Sequence, residues 1–161
     1  MAPMLLAGWS AFAHAFHRRG SCPERPGRGN QADEEVTVDY AHFVKAVQER
    51  GGFESRDEAD QAITATLATL GERLKGNETF HLAAQLPPDL ADAISGRGPG
   101  EVFSIEEFYR RVAVREGSRY SDGMVREHAR AVMATLASAV TPGEWDDVMA
   151  QLPKEYAELL P

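Results

Sequence analysis

One cysteine, Cys22, stands in 161 residues, so no internal disulfide can form. That usage fits a reducing compartment, and a cytoplasmic location is expected. Long apolar runs are also missing, since none approaches the ~18 residues of a membrane-spanning helix. Positive charge is scarce: 17 Lys and Arg stand against 25 Asp and Glu, a net charge of -8. Phosphates are bound by Lys and Arg that displace their counterions. A chain this acidic is therefore not expected to bind nucleic acid or an anionic membrane surface. A phosphate-cradling glycine loop and a nucleophile elbow are absent too. No two histidines have the His-x-x-x-His spacing that sets both on one helix face.

What is present is a chain that repeats itself. Gln85-Leu86-Pro87 returns as Gln151-Leu152-Pro153, each time after an alanine, and Ala68-Thr69-Leu70 returns in the same register as Ala134-Thr135-Leu136. The expected fold is all-α: a helical bundle of two tandem pseudo-symmetric repeats of about four helices each. The copies span 38–95 and 103–161, with a Gly-, Pro- and Arg-containing linker over 96–102.

In the first copy, Asp39 is a helix N-cap, and Tyr40, Phe43, Val44 and Val47 share one face before Gly51-Gly52 ends the helix. Ser55 with Glu58 reads as a capping box. The stripe Ala59, Ile63, Leu67, Leu70 and Leu74 makes a long helix. Leu82 and Leu86 mark a short one, which Pro87 stops. Pro88 suits the first turn of the next helix, whose apolar face is Leu90, Ala91 and Ile94. Gln-Leu-Pro thus reads as a corner: Leu packs inward, Pro turns the chain, and Gln closes the turn on a free backbone group.

The second copy follows suit. Ser104 with Glu107 reads as a capping box, and Ile105, Phe108 and Val112 answer Tyr40, Phe43 and Val47. Val125, Ala129, Met133, Leu136 and Val140 repeat the long stripe, and Tyr156 and Leu160 answer Leu90 and Ile94. The copies differ in charge. Asp57, Glu58 and Asp60 open the first long helix, whereas the second carries Arg126 and Arg130, so opposed faces are expected to meet.

Residues 1–37 stand apart. Their positive charges follow the apolar stretch Met4 to Phe16, the reverse of a secretory signal. They read as a disordered tail or an over-extended gene model with a start near Val36 or Val38. His14, His17 and Cys22 within them make a poor metal site.

These motifs resemble a bacterial family known only as domain of unknown function 2267. The resemblance rests on Tyr40 with Phe43, Ala68 to Leu70, and Ala84 to Pro87, with their echoes up to Pro153, and covers about residue 38 onward. It implies an all-helical bundle and supplies no catalytic residue.

The remaining polar residues have bland explanations. Ser55, Ser104 and Ser121 cap helices, most acids lie in first turns or on polar faces, and His42, His81 and His128 read as surface or boundary residues. No enzyme, cofactor or metal is expected. The leading function is a non-catalytic interaction or regulatory module of the bacterial cytoplasm with a groove between the halves for a protein segment. The alternative is a small-ligand-binding or stress-response protein with a pocket between the repeats. Trp145, with Asp146 and Asp147 beside it, is the candidate partner-binding patch, because Trp is enriched at interface centres. Its competing role is a lid over the core.

Overall fold

The computed structural model describes residues 39–95 and 100–160. The tail 1–37 and most of the 96–102 linker lie outside them. The described residues form seven α-helices and a closing 3₁₀ helix, with no strand among them. The helices are α1 (Tyr40–Gly51), α2 (Arg56–Arg73), α3 (Glu78–Ala84), α4 (Pro88–Ile94), α5 (Ile105–Arg115), α6 (Asp122–Ala139) and α7 (Pro142–Ala150); the 3₁₀ helix is Lys154–Leu159.

Local chemistry sets the boundaries. The Asp39 side chain accepts from the Ala41 N–H and starts α1; Gly52, at φ 66°, ends it in the left-handed region. Ser55 and Glu58 form the reciprocal capping box that opens α2. Ser121 and Thr141 cap α6 and α7 by accepting from the Met124 and Glu144 N–H groups. At α5 only half of the expected box forms. Ser104 accepts from the Glu107 N–H. The Glu107 carboxylate does not turn back to the cap, because Arg110 (Nε, 2.6 Å) and Arg111 (Nε, 2.9 Å) hold it. Charge-assisted bonds of that length outcompete a neutral backbone donor.

Packing crosses between the N-terminal four elements and the C-terminal four. α1 lies on α6, α5 lies on α2, and the two 18-residue helices α2 and α6 touch each other. One hydrophobic core runs through all of this. Phe43, Val47, Leu67, Leu70, Phe108, Met133 and Leu136 are fully enclosed in it. Each large apolar side chain so enclosed stabilises by roughly 1.5–3 kcal/mol relative to exposure.

Two further expectations change. Leu159, rather than Leu160, joins Tyr156 in the core. The closing element is a 3₁₀ helix, and its three-residue turn puts i and i+3 on one side. The charged faces of the long helices do not meet either. Arg126 pairs with Glu158 at 3.2 Å, and Arg130 donates to the Glu158 carbonyl at 2.7 Å, so both reach the 3₁₀ helix. Asp60 accepts instead from Tyr40 at 2.9 Å. The ionic crossing runs between α2 and α5: Glu72 takes Arg111 at 2.9 Å and also Arg115. Arg111 further reaches Glu101 and Glu107.

Candidate functional site

The Gln-Leu-Pro corners build the candidate site. Leu86 and Leu152 are buried, as corner residues that point inward should be. Pro87 and Pro153 stand at the N-caps of α4 and the 3₁₀ helix, where a missing N–H costs little. The glutamines do close turns, but not their own. Gln85 Oε1 accepts from the Thr141 N–H at 2.9 Å, and its amide nitrogen approaches Thr141 Oγ1 at 3.3 Å and Glu144 Oε2 at 3.4 Å. Gln151 Oε1 accepts from the Lys75 N–H at 2.8 Å, and its amide donates to the Lys75 carbonyl at 3.4 Å. Each glutamine thus satisfies backbone or cap groups just before the short helix of the opposite half.

This exchange holds α3 beside α7. Glu78 and His81 stand one turn apart on α3, and Glu144 stands on α7. Each offers one donor atom, and the three atoms lie within 4.8 Å of one another. Glu78 Oε2 and Glu144 Oε1 are shut off from solvent without a hydrogen-bond partner. Burial pushes the Glu144 carboxyl above its ordinary range, and the charges of Glu78 and Asp147 add to the rise while His81 opposes it.

A family model described as an uncharacterized conserved protein, DUF2267, matches residues 40–159. The chain belongs to the DUF2267 family. Comparison with curated proteins returns no match.

Within this DUF2267 domain, Trp145 is half-buried with its ring against the core, while Asp146 and Asp147 are exposed on α7. On α3, Phe80 is 73% exposed, and His81 stands beside it with the two ring centroids 6.3 Å apart. His42 pairs with Asp39 at 3.0 Å on the surface. His128, expected at the surface or boundary, is instead buried, 3.1 Å from Glu116 and between Phe53 and Tyr120. The Glu78–His81–Glu144 trio escaped the sequence reading, which sought histidine pairs along single helices. One signal was available: Glu78 and Glu144 each stand seven residues before a Gln-Leu-Pro corner, at Gln85 and Gln151.

Proposed function

We propose that the chain is a non-catalytic interaction module of the bacterial cytoplasm, built from two copies of one four-helix unit about an approximate twofold axis between α2 and α6. Support for the duplication comes from the swapped partners: α1 on α6 against α5 on α2, and Gln85 at Thr141 against Gln151 at Lys75. The working face in this reading is the α3–α7 junction.

The observation that carries it is Phe80, a large aromatic side chain 73% exposed on a helix that the glutamine exchange fixes in place. Fixing an aromatic anchor before binding lowers the entropy cost of docking. Asp146 and Asp147 on the neighbouring helix add negative charge. A protein segment with an apolar pocket rimmed by Lys or Arg suits such a face. The alternative, a small-ligand protein with a pocket between the repeats, has less support. Side chains with no exposed surface, among them Phe43 and Val47 of α1 and Val132 and Met133 of α6, fill the region where the halves pack.

The experiment is photo-crosslinking in cells of the native host, with a benzophenone amino acid at position 80 and, as control, at exposed position 45. An adduct specific to position 80 that disappears on Asp146→Lys/Asp147→Lys supports the reading. Identical adducts from both positions sink it.

A further inference from the structure

The α3–α7 junction brings two carboxylates and an imidazole together from two helices. Two carboxylates face one another, and one oxygen of each is withdrawn from water without a donor. Burying an ionised carboxylate unpaired is costly, and two close together cost more. Gln85 relieves only one oxygen of Glu144, at 3.4 Å. The imidazole of His81 completes a donor set drawn from both halves.

We propose that Glu78, His81 and Glu144 bind one first-row divalent cation, Zn2+ or Mn2+, across the α3–α7 junction. Imidazole with carboxylates suits these ions, whereas Mg2+ and Ca2+ prefer sites made of oxygen alone. A tetrahedral zinc site at about 2.0–2.1 Å per ligand draws its donors to roughly 3.4 Å apart. From a starting spread of 4.8 Å, rotation of the exposed His81 and of two half-buried glutamates can close that gap. The ion would neutralise both carboxylates and tie α3 of one half to α7 of the other. This inference goes beyond the interaction reading and stands whether or not Phe80 meets a partner.

The test uses the full chain without a histidine tag, stripped with a chelator and titrated calorimetrically with ZnCl2, MnCl2 and MgCl2. Expected is one Zn2+ or Mn2+ per chain, a raised thermal midpoint, and weaker Mg2+ binding. Glu78→Gln and Glu144→Gln keep the side-chain shape and should each weaken binding at least about 10–100-fold, the loss that even outer-shell changes produce. A variant lacking His14, His17 and Cys22 should bind as the wild type does. Should a glutamine variant fail to fold, His81→Ala, at an exposed position, takes its place with the same expectation. No saturable binding below about 1 mM, or equal binding by the wild type and these junction variants, overturns the proposal. Failure here leaves the crosslinking result untouched, so the two ideas fall separately.

Discussion

Gly71→Ala should destabilise this protein although alanine is the better helix former. Gly71 lies inside α2, and a Cβ built there falls 2.1 Å from the Ile94 carbonyl oxygen at the end of α4. The obstacle is backbone, not the tip of a side chain that could swing aside. α4 must therefore withdraw, and it takes with it Leu90 and Ile94, both fully buried. Overpacking of this kind costs about 1–3 kcal/mol, and displaced core contacts add to it. Against that, replacing an interior helical glycine by alanine gains about 1 kcal/mol. A net loss of roughly 1–2 kcal/mol follows, a midpoint drop of about 3–10 °C for a domain of this size. Gly123→Ala supplies the internal control. Gly123 lies in the first turn of α6 with nothing within 4 Å of its would-be Cβ, so the same substitution should be neutral or stabilising by up to about 1 kcal/mol. Both variants are compared by thermal and urea unfolding followed by circular dichroism. If Gly71→Ala matches or exceeds the wild type in stability, α4 does not press on α2 as described.

Gln151→Ala removes both bonds to the Lys75 backbone and should lower stability by about 0.5–1.5 kcal/mol in urea unfolding, even though the corner's own half keeps all its backbone bonds. Exchange of the Lys75 amide with deuterium should quicken in the same variant. Arg110 and Arg111 hold the Glu107 carboxyl down at about 2, from a usual 4.5. Its contribution is therefore fully present above the unfolded value and lost as pH falls through the folded one. Glu107→Gln should lower the thermal midpoint at pH 7, and the gap to the wild type should narrow between pH 4.5 and 2; a constant gap would refute the pairing.

The helices were legible because their signals are local. Asp39, Ser55, Ser104, Ser121 and Gly51-Gly52 act on their own neighbours, and the stripe Ala59, Ile63, Leu67, Leu70 and Leu74 needs only the 3.6-residue period. Leu86 and Leu152 could be assigned to the core for the same reason. Partners across the fold were not legible. Gln85 could be foreseen to close a turn, but its target, Thr141, lies in the other half. Arg126 and Arg130 had plausible acidic partners by charge, yet reach determined that Glu158 took both. The displacement of Leu160 by Leu159 depended on a choice between α and 3₁₀ geometry that tertiary contacts make at a chain's last turn. The Glu78–His81–Glu144 cluster exists only once α3 meets α7, so no single stretch of the chain spells it.

The exchanged glutamines carry a meaning for how such a molecule could arise. Gln85 completes the C-terminal half and Gln151 the N-terminal one, as two subunits of a homodimer would each lend an arm to the other. A chain severed between positions 95 and 100 should then yield two pieces that recombine when mixed, each unable to stand without its counterpart. On the duplication proposed above, fusion into one polypeptide would have removed the concentration dependence of that union, and left each half at liberty to acquire its own surface: an aromatic ring on one, a pair of acids on the other.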